Sequence, residues 1–379
     1  RINPSGQASW AVVASGSGAS STHALAIDGA GNAYVTGVYS KQTQLGPIDL
    51  TAKTSADVFV AKVAQTGVVQ WARSISGADP NDGLQVAVDD AGNSLVCGHF
   101  ETSLQVYATP IAGKGKRDVF VARLTPEGKY WWAKAFGGPG FDYAYDIANA
   151  SDGHGYVIGS FSYQADFGSE QVKSAGQSDI YLAKLDAKGK TVWLRGAGGP
   201  GEDSGELVDI DDNGHIYIAG TIGGSATFGS QSIGANNGSF VARVNSDGTF
   251  QWVKSLWTGN PGIAEERDIA VGADGHLHIT GVLAKATVFG TQTLSPSGPS
   301  DIFLSEITDA GELVETTTAG GPGRDEAAAI FVNDKGAIFV TGSFTGAVAS
   351  ATPEPAVFGA EKALAQGERD LFVWKLPRP

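Results

Sequence analysis

An all-β chain of repeated antiparallel sheets is what this sequence predicts, and three observations predict it. Gly31, Gly92, Gly153, Gly214, Gly275 and Gly336 recur every 61 residues, and Gly37, Gly98, Gly159, Gly220, Gly281 and Gly342 keep the same period. The text around them repeats, as in "IDGAGNAYVTG", "VDDAGNSLVCG" and "VNDKGAIFVTG". Between them lie short runs of β-formers set off by turn signals, the pattern of strands. A fixed period of this length marks a repeat architecture. A residue present in every copy serves the repeat, so function is to be sought where the copies differ.

Each element follows in order from the third repeat. "YDIANA" (145 to 150) is a first strand, "SDGHG" a tight turn and "YVIGSF" a second strand. A longer polar connection, "SYQADFGSEQVKSAGQS", leads to a third strand, "DIYLAKL", and the turn "DAKGK" to a fourth, "TVWLRGAGG". The runs are almost continuously apolar, so both faces of each sheet are covered. Four antiparallel strands covered on both sides by neighbouring copies describe a propeller blade. The N-terminal "RINPSGQASW" matches 123 to 132, and the C-terminal "DLFVWKLPRP" matches 118 to 127. The prediction is therefore a six-bladed β-propeller. The N-terminal strand completes the C-terminal blade, which closes the ring and removes free sheet edges.

Length alone would suggest two or three domains for 379 residues, but the unbroken repeat predicts a single domain over 1–379. With 42% hydrophobic and 17% charged residues, the chain is a folded one. A net charge of -14 repels phosphate backbones and no basic stripe is present, which excludes nucleic acid as a partner. No apolar run of about 18 residues occurs, so no membrane-spanning helix is expected. Cys97 is the only cysteine and reads as a buried strand residue. The chain begins at Arg1 and lacks Met, which reads as a processed product whose signal or anchor lies outside it.

The recurring side chains read as scaffold. Asp28, Asp89, Asp211 and Asp274 occupy turn slots and should bond backbone N–H groups. Trp10, Trp71, Trp132, Trp193 and Trp252 recur in the fourth strand as packing residues, with Glu315 at the sixth position. Lys62, Arg123, Lys184, Arg243 and Lys375 end the third strand, with Glu306 in the fifth copy. Glycines inside the second strand read as close-packing sites near the propeller axis. His154, His215 and His276 lie on separate repeats, which argues against a shared metal.

The phrases "GGPGFD", "DDAGNS", "YVTG", "DFG" and "SDIYLAKLDAKGKTVW" resemble the bacterial β-propeller repeat family of the SBBP type, and the resemblance spans all six repeats. It implies an exported bacterial protein, extracellular or at the cell surface, with an interaction role and no catalytic motif. Fold alone does not give function.

Candidate sites lie where copies differ. Acids follow the glycine-rich loops at Asp142, Asp203 and Asp325, expected near the channel mouth. They are the candidates to hold Ca²⁺ through oxygen ligands, against the plainer reading that each caps its turn; no other cofactor is expected. Phe141, Tyr143, Tyr163 and Trp257 supply aromatic surface on the long-loop side. The sixth repeat carries an insertion near 345–358 with Pro353, Pro355 and Phe358, followed by the helix-forming "AEKALAQ". The expected function is a secreted or cell-surface binding or structural module for protein or glycan partners. Two alternatives stand beside it: a carbohydrate-active hydrolase or lyase working at the channel mouth, and a subunit of a larger extracellular assembly.

Overall fold

A computed structural model describes residues 1, 7–78, 84–106, 110–234, 238–258, 264–345, 355–365 and 369–376. It forms two compact units, Arg1–Gly196 and Ala197–Pro379. All the regular structure among the described residues is β, and every paired strand is antiparallel. In the first unit the strands Ser20–Ile27, Ala33–Tyr39, Asp57–Val63 and Val69–Ala78 pair in chain order. In the second, Ala264–Val271, Leu277–Leu283, Asp301–Ile307 and Leu313–Ala319 repeat that sheet. The repeat boundaries fall where the glycine period places them.

The long connection between second and third strands is not a loop. It folds into a two-stranded hairpin, as in Gln164–Phe167 with Glu170–Lys173 and Thr287–Phe289 with Gln292–Leu294. Its turn glycines, among them Gly168 at φ 78° and Gly290 at φ 57°, take the left-handed backbone that favours glycine. The phenylalanine before that glycine is the anchor: Phe167, Phe228 and Phe289 are buried, each against a third-strand ring at 4.8 to 5.1 Å. Hairpins also pair with the end of the preceding repeat's fourth strand, as in Trp257↔Phe289, and the N-terminal strand pairs with the first repeat's hairpin in the same way, Ala14↔Leu45. The sixth-repeat segment follows the same plan. Ala356–Phe358 pairs with Glu361–Ala363, so the predicted helical piece is half of a hairpin. Neighbours that impose strand pairing override local helix propensity.

The second-strand glycines owe their identity to a local contact. A Cβ on Gly98 would stand 2.7 Å from the Phe120 ring, and on Gly281 2.6 Å from Phe303. A third-strand aromatic lies across Gly37, Gly98, Gly159, Gly281 and Gly342, and at all of these but Gly98 a first-strand backbone carbonyl stands closer still. The close approach of another backbone, expected at these glycines, is also present: the first-strand carbonyl of Glu265 would stand 2.1 Å from a Cβ on Gly281.

The tryptophans make a clasp between repeats. The indole N–H donates to a turn carbonyl of the following repeat: Trp71 to Pro126 at 2.9 Å, Trp132 to Ala187 at 2.9 Å and Trp252 to Asp309 at 2.8 Å. The ring then lies on the turn glycine, where a Cβ on Gly128, Gly189 or Gly311 would stand 2.5 to 2.8 Å from it. Trp10 does the same to Gln65 and Gly67, so the N-terminal segment occupies the place of a fourth strand beside the first repeat. In the second unit, Asp370–Leu376 pairs with Ile338–Phe344, and its Leu371 is 85% exposed.

Candidate functional site

Every described first strand whose full register is seen carries one extra residue. The register shifts at His23, Tyr145, Glu206, Arg267 and Ala328. A β-bulge re-aims the side chain it carries. The backbone here is repeated and the side chain is not, which is the behaviour expected of functional positions on a periodic scaffold.

In the third repeat the bulge belongs to an aromatic ladder. Phe141 and Tyr143 stack at 6.4 Å with planes 11° apart, and Tyr143 and Tyr145 stack at 5.8 Å with planes 8° apart. His99 meets Tyr143 edge-on at 5.0 Å. Lys116 Nζ lies 4.8 Å over Phe141 and the Arg117 guanidinium 5.2 Å over Tyr143, while Arg117 also pairs with Glu101 at 3.1 Å. Ser162 ties the neighbouring turn to this strand, donating its backbone N–H to the Phe141 carbonyl and accepting the Phe141 N–H on Oγ. The next residue, Tyr163, is 70% exposed and holds φ 64°, a conformation unusual for a residue with a side chain. Lys41 takes the same turn conformation in the first repeat, so the φ belongs to the turn and only the ring is particular to this copy. Strand register puts Ser21, Ser204, Glu265 and Glu326 where the third repeat has Tyr143. The ladder occurs in this copy alone among the described residues.

The second unit holds an acidic group at the corresponding strand starts. Glu266 is buried, accepts the Trp257 indole N–H at 2.8 Å, and burial with the Glu206 charge pushes its carboxyl up to about 7. Glu206 accepts the Thr221 hydroxyl at 3.0 Å and is raised mainly by burial. Arg267 pairs with Glu265 at 2.8 Å. Trp257 was expected on a long-loop surface, but it is 2% exposed because its strand end is covered by the Thr287–Phe289 hairpin.

The predicted acids are turn caps. Asp142 Oδ2 accepts the Gly138 N–H at 2.7 Å, Asp203 Oδ2 that of Gly199 at 2.6 Å, and Asp325 Oδ2 that of Gly321 at 2.6 Å. All three are almost fully buried, so none faces solvent at a channel mouth. Among the described residues no three His, Cys, Asp or Glu side chains are grouped to hold a metal ion. The turn aspartates also bond as predicted: Asp28 Oδ1 accepts the Asn32 N–H at 2.8 Å, and Asp211 Oδ1 that of His215 at 2.8 Å. The third-strand bases find these carboxylates, with Lys62 3.4 Å from Asp28 and Arg123 3.3 Å from Asp89. The fifth repeat reverses the polarity, with His276 Nδ1 2.5 Å from Glu306.

The sixth-repeat candidates separate. Phe358 is buried against Phe344, Phe372 and Trp374, so it is core and not a presented loop residue. Pro355 is half-buried, and Pro353 lies outside the described residues. Tyr145 and Glu206 went unnoticed in the sequence. The available signal was the residue opposite no partner in an otherwise alternating strand.

No protein-family model matches the chain. It is similar to the regulatory protein FlaEY of Caulobacter vibrioides, 26% identical over 246 residues, covering 62% of this chain and 24% of that protein. It is also similar to an uncharacterized WD repeat-containing protein of Acanthamoeba polyphaga mimivirus, 25% identical over 284 residues, covering 62% of this chain and 20% of that one. The chain thus spans about a quarter or less of the curated relatives it matches. Among solved structures, a gluconolactonase of Xanthomonas campestris aligns over 85% of this chain and 82% of its own, at 13% identity and TM-score 0.41.

Proposed function

We propose that the chain is a six-bladed β-propeller acting as a non-catalytic binding module at a bacterial cell surface, with the Phe141–Tyr143–Tyr145 ladder and Tyr163 as its recognition surface. The observation that carries this reading is the ladder itself. It sets stacked rings, half-buried or exposed, under two cations on a scaffold whose other described copies carry Ser21, Ser204, Glu265 or Glu326 in place of the central Tyr143. Flat rings held by packing lose little side-chain freedom on binding, which suits stacking against a sugar face or an apolar peptide side chain. A glycan partner is the stronger form of the proposal, because parallel rings at successive strand positions match successive rings of a chain. Binding to a panel of immobilised bacterial surface polysaccharides tests it. Retention of the wild type and its loss in Phe141→Ala with Tyr163→Ala is the expected result; no retention on any polysaccharide removes the glycan reading.

Ring closure belongs to the same proposal. Trp10 already performs the clasp of a fourth strand, and Asp370–Leu376 leaves Leu371 and Val373 exposed on a third strand. The two features are complementary halves of one blade. Deleting residues 7–16 should lower thermal stability sharply, and an unchanged melting temperature would count against closure.

A second reading, a carbohydrate-active enzyme, draws on one observation. Glu266, with a carboxyl near neutrality, is electrostatically coupled to Glu206, as a general acid beside a second carboxylate would be. Release of reducing ends from any polysaccharide, abolished by Glu266→Gln, would favour that reading over the binding module.

A further inference from the structure

We infer that two buried carboxyl pairs, Asp118 with Asp142 and Asp301 with Asp325, each hold a single shared proton in the folded protein and so form proton-dependent latches between consecutive repeats. In each pair the first acid opens the third strand of one repeat and the second opens the first strand of the next. The strands touch there, with Arg117 bridged to Phe141 and Ser300 to Arg324. The backbone N–H of Asp142 donates to the Arg117 carbonyl at 3.0 Å, and that of Asp325 to the Ser300 carbonyl at 2.9 Å.

The oxygens divide into two classes. Each Oδ2 is fully occupied by turns: Asp118 accepts Lys114 N–H at 2.6 Å, Asp142 accepts Gly138, Asp301 accepts Ser297 at 2.8 Å and Asp325 accepts Gly321. The Oδ1 atoms of Asp118 and Asp301 are buried without a hydrogen-bond partner, those of Asp142 and Asp325 are buried too although the backbone N–H of Ser162 and of Thr345 bears on these two carboxyls, and the four residues are 0 to 2% exposed. The two carboxyls of a pair converge on the space beside one glycine. The point where a Gly137 Cβ would stand is 2.3 Å from Asp118 Oδ1 and 2.9 Å from Asp142 Oδ2. At Gly320 the corresponding distances are 2.8 Å to Asp301 Oδ1 and 2.8 Å to Asp325 Oδ2. Two like charges flanking one glycine in so dry a place disfavour each other, and one proton gives one oxygen a donor and the other an acceptor. Burial first, then the partner's charge, raises Asp142 to about 7 and Asp325 to about 6 once the turn N–H bonds have lowered them.

The chain supplies its own control. At the junction between the fourth and fifth repeats, register puts Gly238 in the place of the first acid and Ala264 in the place of the second. Both acids are absent at that junction, so it offers an internal reference without the pair. Other charges do not replace the proton. Lys114 lowers Asp142 less than the Gly138 and Ser162 N–H groups do, and it leans toward Asp166 at 3.7 Å; Ser297 stands in its place at the other pair. Arg117 is turned to Glu101, and Arg324 and Arg369 to Glu326.

The test is a pH titration of the full chain with Asp-labelled carbon NMR and thermal melting, on wild type, Asp142→Asn, Asp118→Asn and Asp325→Asn. Asparagine keeps the acceptor for the turn and supplies the N–H donor that the proton would have supplied. The expected result is one proton per pair released near neutrality, not near 4. The melting temperature should fall from pH 5 to pH 8.5 in the wild type and fall less in each asparagine variant. Four carboxyls all titrating in the ordinary range would overturn the inference in favour of ionised pairs bridged by water. A melting temperature at pH 8 that drops with chelator and returns with Ca²⁺, in wild type but not Asp142→Asn, would overturn it in favour of a metal. Loss of the fold in both Asp118→Asn and Asp142→Asn at pH 5 would also overturn it, since a pair that already holds one proton would accept either change.

Discussion

At the tryptophan clasps and at the first-strand bulges the backbone repeats equally well, yet the side chains behave in opposite ways. Trp10, Trp71, Trp132 and Trp252 each lie on a turn glycine and donate to a neighbouring carbonyl. The bulge holds His23, Tyr145, Glu206, Arg267 and Ala328 in turn. A flat ring pressed on a glycine has no substitute of equal shape, whereas a bulge that points its side chain out of the ladder accepts anything. The clasp therefore marks what the fold needs, and the bulge marks what a copy is free to use.

The largest effect should come from breaking a clasp. Trp132→Ala removes a buried ring and leaves the Ala187 carbonyl without its donor, which should cost roughly 3–5 kcal/mol. Chemical denaturation would measure it; a loss below about 1 kcal/mol would show that the clasp is ornamental. A smaller loss is expected at the second-strand glycines. Gly98→Ala must push the Phe120 ring out of its place and should cost about 1–3 kcal/mol by denaturation.

A third effect separates the fixed from the free positions by pH. Asp268 follows its bulge directly and Asp209 lies three residues beyond the bulge at Glu206; each accepts a backbone N–H from the following repeat at 2.8 Å. Burial pushes Asp209 to about 6 and Asp268 to about 7. The folded state therefore binds these protons more tightly than the unfolded chain. Their contribution is fully present below the ordinary carboxylate range near 4 and is lost as pH rises through 6 to 7. Stability should be greater at pH 5 than at pH 8. Asp268→Asn should narrow that difference, by about 1–2 kcal/mol if a shift of one unit is worth about 1.4 kcal/mol. A melting temperature that rises from pH 5 to pH 8 would refute the assignment.

The scaffold was legible because its causes are periodic. A glycine under an aromatic ring or on a turn recurs in every copy, and strand runs between turn glycines can be read directly. The hairpin inserted between second and third strands was missed, although "DFG", "TFG" and "VFG" announce its anchor, because its other residues are polar and short. Trp257 and Phe358 were misplaced through the same hairpins: one covers the strand end that carries Trp257, and Phe358 is the buried anchor of another. Phe141 and Tyr143 were legible as departures from the repeat. Their stacking with Tyr145 was not, since the bulge that aligns Tyr145 is a register effect between two strands.

On the proposed function, a copy-specific side chain set on an invariant frame is where this protein meets its partner. The direct measurement is the affinity of wild type and of Phe141→Ala with Tyr163→Ala for the polysaccharide retained by the wild type, taken alongside the melting temperature of each. Both rings reach solvent, so stability should change by no more than about 0.5 kcal/mol, while affinity falls at least roughly tenfold. Equal affinity in the two proteins, with the fold intact, would contradict the claim.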